Sequence, residues 1–221
     1  MALSLKHHHT NTTENAKQPG VLYHPRFYDR LSAAFFLGRR RRIWDDLVAA
    51  SGVKPGDDVL DVGCGTGYFA TRLTPAVLPG GTVTGVDPSA PMIDYCRQRA
   101  ATHTRFEVGT AQYLPFNDHS FDVVVSSLAI HHIPPDTRAA ALTEMLHVLR
   151  PHGRLLLADI RPPDNPILRR LITGIGHNAL PDDPVQELRE RVTEAGFVIT
   201  GTGRHPLMHH VAAVRPATPA A

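Results

Sequence analysis

The alternation of short apolar segments with helical segments is the feature that most constrains the fold of this chain. Strand-like segments are predicted at 58–62, 82–86, 106–108, 121–126, 154–158, 197–200 and 208–214. Helices are predicted between them, at 67–78, 89–101, 136–149 and 183–195. Strands joined by helices pair in parallel, so the pattern predicts an α/β protein with a mostly parallel sheet. Ligands of such sheets bind beyond the carboxyl ends of the strands.

The composition indicates one globular domain and excludes several classes of protein. A length of 221 residues suits one domain, and 42% hydrophobic with 20% charged residues excludes wholesale disorder. A net charge of +2 gives no general attraction to nucleic acid. No apolar run approaches the ~18 residues of a membrane span, and the N-terminus lacks a hydrophobic signal core. Two cysteines exclude a disulfide scaffold. We therefore expect a cytoplasmic location.

A glycine-rich turn follows the first predicted strand and precedes the first crossover helix. Gly63, Gly65 and Gly67 stand at alternate positions, where glycine permits positive φ and close approach of a ligand. Asp87 lies at the end of the next strand and can accept hydrogen bonds from both ribose hydroxyls. Asp61, just before the turn, would repel a pyrophosphate and suits a ligand with an amino group. The glycine spacing also differs from the G-x-G-x-x-G of dinucleotide sites.

Five segments together resemble one family, namely VLDVGCGTG, GVDPSAPMI, FEVGTAQYLPF, FDVVVSSLAIHHI and LRPHGRLLLAD. They are similar to the motifs of class I S-adenosylmethionine-dependent methyltransferases, in the small-molecule branch that includes ubiquinone and menaquinone C-methyltransferases. The close resemblance covers residues 55–160. It implies a Rossmann-like three-layer sandwich whose seven-stranded, mostly parallel sheet has an antiparallel last strand and an N-terminal helical cap.

The resemblance also implies a site for S-adenosylmethionine. Asp61 would face the methionine ammonium through water, Asp87 would hold the ribose, and Met92 would lie beneath the adenine. The family often has an aspartate where this chain has Thr110, and a neutral hydroxyl is a weaker partner for the adenine amino group. The other residues expected to bind the cofactor are Gly63, Cys64, Gly65, Gly67, Pro88, Ala111, Gln112 and Ser126.

Two histidines and two tyrosines are candidates for roles beyond cofactor binding. His131 and His132 follow the fourth strand, near the place where the methyl group should project, and histidine can take a proton near neutral pH. Alternatively, they only cap a turn or line the pocket. Tyr23 and Tyr28 are expected to line a helical lid, or else to fasten the helix onto the sheet. No metal site is expected.

The chain divides into segments along these lines. Residues 1–20 are expected to be a disordered leader, and residues 21–215 the methyltransferase domain. Within it, 21–54 would form the helical cap, 55–160 the cofactor-binding core, and 161–215 the C-terminal strands and substrate-side helices. Residues 216–221 would be a loose tail. The run Arg39–Arg42 points around most of a helix, which predicts a solvated surface, with an anionic substrate or lipid as the alternative.

The sequence therefore predicts methyl transfer from S-adenosylmethionine to a small-molecule acceptor, with S-adenosylhomocysteine as the product. C- or O-methylation of a quinone-like or natural-product acceptor is favoured over N-methylation of a phospholipid or amine. A catalytically silent protein that binds the cofactor and a nicotinamide-dependent oxidoreductase are the alternatives from other classes. No nucleic-acid partner and no stable membrane insertion are expected, and the sequence does not fix the acceptor or the oligomeric state.

Overall fold

The computed structural model describes residues 25–36, 38–161 and 183–217. Within them, one sheet contains seven strands in the order β3-β2-β1-β4-β5-β7-β6. The strands are β1 (Asp58–Val62), β2 (Thr82–Asp87), β3 (Thr104–Val108), β4 (Phe121–Ser127), β5 (Leu149–Ile160), β6 (Val198–His205) and β7 (Met208–Val214). Strand β7 runs antiparallel to β5 and β6, whereas β1 to β5 pair in parallel. The predicted sheet is therefore confirmed.

Helices pack on both faces of this sheet. They are α1 (Pro25–Phe35), α2 (Arg40–Ser51), α3 (Tyr68–Val77), α4 (Ala90–Arg97), α5 (Arg138–Val148) and α6 (Pro184–Glu194). Apolar residues of α2, α3 and α4 form one buried cluster with Leu156 and Ala158 of β5, and those of α5 and α6 form another with Leu155 and Leu157. Because successive side chains of a strand point to opposite faces, β5 is apolar throughout this segment. The predicted three layers are present.

Two predicted helix boundaries are wrong. Helix α4 ends at Arg97, and α5 begins at Arg138 with Thr137 as its N-terminal flanking residue, so Asp136 does not cap it. Strand β5 begins at Leu149, five residues before the predicted start at Arg154. The reason is tertiary, since Leu149 pairs with Phe121 of β4 across a register shift.

An ion-pair cluster at the amino ends of β1 and β4 secures this extra length of β5. Arg150 contacts Asp58 at 3.2 Å and also pairs with Asp122. The hydrogen bond to Asp122 raises the pKa of Arg150 above its ordinary value, burial opposes this shift, and the hydrogen bond to Asp58 adds to it. The cluster lies at the opposite end of the sheet from the glycine turn.

The predicted start of α6 agrees with the structure. The Asp183 side chain accepts hydrogen bonds from the backbone N–H groups of Val185 and Gln186, both at 3.1 Å, and Pro184 occupies the first helical position. The leader 1–20, Tyr23 and much of the expected substrate-side segment, 162–182, lie outside the described residues. No described helix has the length and apolarity that crossing a membrane requires.

Candidate functional site

A cavity of about 340 Å³ lies at the carboxyl ends of β1, β2 and β4. This is the edge at which the alternating pattern places a ligand. Most of the predicted cofactor residues line it, namely Gly63, Cys64, Gly65, Asp87, Pro88, Met92, Thr110, Ala111, Gln112 and Ser126. Asp61 and Gly67 were also predicted, but neither lines the cavity.

The three glycines of the turn all have positive φ, but their surroundings differ. A Cβ at Gly63 (φ 72°) would lie 2.4 Å from Cβ of Ala129, so the close approach of two loops requires glycine there. Gly67 (φ 76°) flanks the start of α3 and packs against Cys96, which accounts for its position away from the cavity. A Cβ at Gly65 (φ 52°) would meet nothing within 4 Å, which leaves room for a ligand against its backbone.

Alanine substitutions should separate these two roles. Gly63→Ala should destabilise the fold by about 1–3 kcal/mol, because the new methyl group adds a clash with Ala129 to the backbone strain. Gly65→Ala should cost only about 1 kcal/mol of stability but should weaken binding of S-adenosylhomocysteine. Urea unfolding and calorimetry measure the two effects. Equal losses of stability in both variants would contradict this division.

Asp87 connects the glycine turn to β2. Its Oδ2 accepts the backbone N–H of Gly65 and its Oδ1 that of Ser89, both at 2.9 Å. Burial raises the pKa of Asp87, and the two backbone hydrogen bonds oppose that shift. Each carboxylate oxygen keeps a further lone pair. The held carboxylate can therefore accept hydrogen bonds from a ribose, as the sequence predicts.

Asp61 is a buried carboxyl group with one unpartnered oxygen. Its Oδ2 accepts the backbone N–H of Ala70 at 3.1 Å, whereas Oδ1 has no hydrogen-bond partner among the described residues. Burial raises the pKa of Asp61 to about 7, the Ala70 hydrogen bond opposes this, and the negative charge of Asp87 adds to it. A buried acid in this state is stabilised by a cation nearby.

The two predicted histidines lie together on a 3-10 turn, Ile130–His132, directly after β4. Their ring centroids are 4.0 Å apart. Asp159, at the end of β5, accepts the backbone N–H of His131 at 3.0 Å and its Nδ1–H at 2.6 Å. The structure therefore distinguishes the pair, since His132 lines the cavity whereas His131 is held by Asp159 and does not.

The charges of this cluster follow from its surroundings. Burial by the surrounding protein and the charge of the neighbouring His131 together lower the pKa of His132 to about 4, and the charge of Asp159 partly offsets both effects. The side chain remains accessible to water because it faces the cavity. Burial alone would raise the pKa of Asp159, but the hydrogen bond from the His131 ring, the charge of that ring and the backbone N–H groups of Ile160 and His131 together outweigh it and leave the pKa lowered. At neutral pH, His132 is therefore uncharged and Asp159 ionised.

Arg40 is a lining residue that the sequence analysis did not identify. Its side chain is buried and faces the cavity, so the predicted solvated surface is wrong for Arg40, whereas its neighbours Arg39, Arg41 and Arg42 are exposed. The physical reason is its place on the apolar face of α2, which also carries the buried residues Ile43, Trp44 and Leu47. This spacing of three and four residues was the available signal.

Helix α1 reaches the glycine turn through one side chain. The Asp29 carboxylate accepts a hydrogen bond from Thr66 Oγ1 at 2.7 Å, and Arg40 pairs with it at 3.3 Å. Ser32 of the same helix lines the cavity. Tyr28 belongs to α1, and its expected role in a lid stays a prediction.

Comparison with known proteins gives one consistent result. The family model of a methyltransferase domain matches residues 59–153. The chain is 33% identical over 147 residues to a demethylmenaquinone methyltransferase of Lactiplantibacillus plantarum, an alignment that covers 64% of this chain and 61% of that protein. The chain thus spans less than two thirds of the length of this relative.

Solved structures show the same fold at low identity. A methyltransferase from Aquifex aeolicus, described as SAM dependent, superposes with a TM-score of 0.68 at 18% identity, covering 87% of this chain and 99% of that one. The cyclase SpnF superposes with a TM-score of 0.65 at 19% identity, covering 80% and 81%. In its matched methyltransferase domain, its relatives and its sheet order, the chain is similar to the class I S-adenosylmethionine-dependent methyltransferases.

Proposed function

We propose that this protein transfers a methyl group from S-adenosylmethionine to a small-molecule acceptor. The observation that carries the proposal is the joint geometry of Gly65 and Asp87 at the cavity. Gly65 leaves open space beside its backbone, and Asp87 is held by two backbone N–H groups with lone pairs to spare. The match to a methyltransferase domain, and the fold shared with a methyltransferase described as SAM dependent, support this cofactor as the methyl donor.

The acceptor that fits best is a quinone-like or related aromatic compound, methylated on carbon or oxygen. Two observations support this choice. The relative at 33% identity is named for demethylmenaquinone. In addition, the cavity wall outside the predicted cofactor residues carries aromatic and apolar side chains from α2 and from the segment after β4, namely Trp44, Leu128, Ile133 and Pro134. Such a wall suits a planar apolar ring.

The residues of the chain fit the cofactor, which supplies a methyl carbon already activated by its positive sulfur. Asp87 would hold the ribose, Asp61 would provide negative charge on the side of the ammonium, and Met92 would pack against the adenine. Since the methyl carbon is activated, the protein mainly aligns the acceptor and excludes water, and alignment alone can supply a large part of a rate enhancement.

An acceptor that becomes nucleophilic by losing a proton also needs a base, and we assign that role to His132. It lines the cavity and is uncharged at neutral pH, so that it can accept a proton. Asp159 is the positioning residue, because it binds both the backbone and the ring of His131 and thereby fixes the turn that carries His132. Its negative charge also favours a protonated His132.

The test is turnover with a labelled methyl donor and a panel of acceptors. The panel contains demethylated naphthoquinols and other phenols, a primary amine, and phosphatidylethanolamine vesicles. We expect methylation of the quinols or phenols, with S-adenosylhomocysteine formed in equal amount. Methylation of only the amine or the phospholipid would contradict the proposed acceptor. Tight binding of the cofactor without turnover on any acceptor would favour a catalytically silent protein instead.

Cofactor binding should release protons from the protein below pH 7. Asp61 has a pKa raised to about 7, so it is mostly protonated at pH 6, and an ammonium group bound nearby would favour its ionised form. Calorimetry at pH 6 in buffers of different ionisation enthalpy should show release of up to one proton per cofactor. The release should diminish at pH 8, where Asp61 is already charged.

Asp61→Asn is the matched control, since it retains the shape of the side chain without a titrating group. This variant should bind S-adenosylhomocysteine more weakly and should release no proton. If the wild-type protein binds the cofactor with no buffer dependence at pH 6, Asp61 does not provide the charge for the ammonium.

A further inference from the structure

Two buried thiols lie in contact beside the glycine turn. Cys64 belongs to the turn and Cys96 to α4, and they are the only two cysteines of the chain. The Cys96 thiol donates a hydrogen bond to the carbonyl oxygen of Gly65, with a distance of 3.3 Å between sulfur and oxygen. Because the proton of Cys96 is engaged there, its sulfur accepts the hydrogen bond that joins it to the Cys64 thiol. The two thiols therefore form a chain of hydrogen bonds that ends on the backbone of the turn.

The packing around the two sulfur atoms also makes them neighbours. A Cβ at Gly67 would lie 3.0 Å from Sγ of Cys96, and a Cβ at Gly85 would lie 2.9 Å from Sγ of Cys64. Both of these Cβ positions are within 3.1 Å of the same atom, Cε1 of the Phe106 ring. The two thiols thus share one small space beside that ring, and glycine at both positions leaves room for the sulfur atoms.

The two thiols differ in their access to the cavity. Cys64 is 7% exposed and lines the cavity, whereas Cys96 is 2% exposed and does not line it. A small solute in the empty cavity therefore meets Cys64 first, and a ligand bound over the turn covers it. Burial raises the pKa of the Cys64 thiol, and the hydrogen bond to Cys96 and the negative charges of Asp61 and Asp87 raise it further. Since the thiolate is the reactive form, Cys64 reacts slowly at neutral pH and faster as the pH rises.

We propose that Cys64 and Cys96 are a modification site, at which a peroxide forms an intramolecular disulfide that weakens ligand binding at the glycine turn. In the first step the Cys64 thiolate attacks a peroxide oxygen, so that an S–O bond forms, the O–O bond breaks, and the leaving oxygen takes a proton to become water. In the second step the Cys96 sulfur attacks the Cys64 sulfur, an S–S bond forms, and the S–O bond breaks with loss of a second water. Two thiols and one hydrogen peroxide give one disulfide and two waters.

The disulfide changes the turn in two ways. An S–S bond is about 2.05 Å long, which is shorter than any contact between two unbonded sulfur atoms, so Cys64 and Cys96 must move together. The Cys96 thiol also loses its proton, and the Gly65 carbonyl loses its hydrogen bond. The N–H of Gly65 is bound by Asp87, so both changes act on the segment that carries the proposed cofactor site. Formation of the disulfide requires no acceptor, and only its effect on affinity rests on the proposed function.

Mass spectrometry tests the disulfide itself. Ligand-free protein is treated with hydrogen peroxide at about pH 8.5, where the thiolate fraction exceeds that at neutral pH. We expect a monomer that has lost two hydrogen atoms and both free thiols. Cleavage after Arg72 separates Cys64 from Cys96, so the disulfide should join the two tryptic peptides. Two free thiols that remain after glutathione in the same solution is fully oxidised, or a disulfide between two chains, would overturn the proposal.

Calorimetry with S-adenosylhomocysteine measures the effect on the site. The oxidised protein should bind this ligand on the order of 10-fold more weakly than the reduced protein, because the turn loses a hydrogen bond. Dithiothreitol should restore the affinity. This reversal separates the disulfide from oxidation of Met92, since dithiothreitol does not repair methionine sulfoxide. Equal affinities of the oxidised and reduced proteins would exclude control of the site by the thiol pair.

Protection by the ligand tests the route of the oxidant. At a concentration of S-adenosylhomocysteine about ten times its Kd, disulfide formation should slow roughly tenfold, because only ligand-free protein leaves Cys64 open to the cavity. Equal rates with and without bound ligand would show that the peroxide does not reach Cys64 through the cavity. If the wild-type protein does not bind S-adenosylhomocysteine at all, the proposed function fails, whereas the mass measurement still tests the disulfide.

Cys96→Ser is the matched control. Serine keeps a donor for the Gly65 carbonyl but cannot form a disulfide, so the affinity of this variant for S-adenosylhomocysteine should be near that of the wild type. Peroxide should convert its Cys64 to a sulfenic acid, which dimedone traps, and no joined peptides should appear. Absence of the dimedone adduct would mean that Cys64 is not the sulfur oxidised first, and would overturn the proposed sequence of steps.

Discussion

Replacing His132 by Gln is expected to lower kcat by about 10²–10⁴-fold while leaving the affinity for S-adenosylhomocysteine near that of the wild type. The imidazole lines the cavity, and glutamine occupies similar space but cannot take a proton. His131→Gln should have a smaller effect on kcat, because His131 does not line the cavity. It should instead lower the free energy of unfolding, since Asp159 loses its ring partner.

The pH profile and a remote histidine provide the controls for this variant. Because the pKa of His132 is lowered to about 4, the imidazole stays uncharged down to low pH, and the acid limb of kcat should fall near pH 4–5. A histidine of ordinary pKa would place that limb near pH 6.5. His147→Gln changes an exposed histidine of α5 and should leave kcat unchanged. Near-wild-type kcat in both His132→Gln and His131→Gln would mean that alignment alone is responsible for catalysis.

Asp87→Ala should weaken binding of S-adenosylhomocysteine on the order of 10–100-fold. The substitution removes the carboxylate that would accept the ribose hydroxyls. It also leaves the backbone N–H groups of Gly65 and Ser89 without their present partner, so the glycine turn is less well held. Asp87→Asn keeps the shape and one acceptor oxygen, and should lie between the wild type and Asp87→Ala. Calorimetry measures the three affinities.

A surface aspartate of the next helix is the matched control for Asp87. Asp94 is exposed, and its ion pair with Arg97, at 3.6 Å, is of the weak surface kind. Asp94→Ala should leave the affinity for S-adenosylhomocysteine unchanged. If Asp87→Ala binds this ligand as tightly as Asp94→Ala does, then Asp87 does not hold the ribose, and the glycine turn keeps its shape without it.

The core of the fold was predictable because its signals are local. The central strands β4 and β5 contain continuous apolar runs, and the turn Gly63–Gly67 contains glycine where positive φ and close approach require it. Capping chemistry is equally local, which is why the start of α6 at Asp183 was predicted correctly. The early start of β5 was not predictable, because Leu149 is extended through pairing with another strand rather than through its own sequence neighbours.

The sequence by itself determined the parallel sheet, the glycine turn and the two acids of the site, Asp61 and Asp87. Both the hydrophobic periodicity and the need for glycine at positive φ depend on residues that are close together in the sequence. The spacing of Arg40 from Ile43, Trp44 and Leu47 places it on the apolar face of α2. Only the tertiary structure showed that its guanidinium lies at the cavity, because Asp29 of α1, eleven residues earlier, and the ring of Tyr68 contact it there. The same holds for His131 and His132. They are adjacent in the chain. Asp159, at the end of β5, forms a hydrogen bond with the ring of His131, whereas His132 lines the cavity.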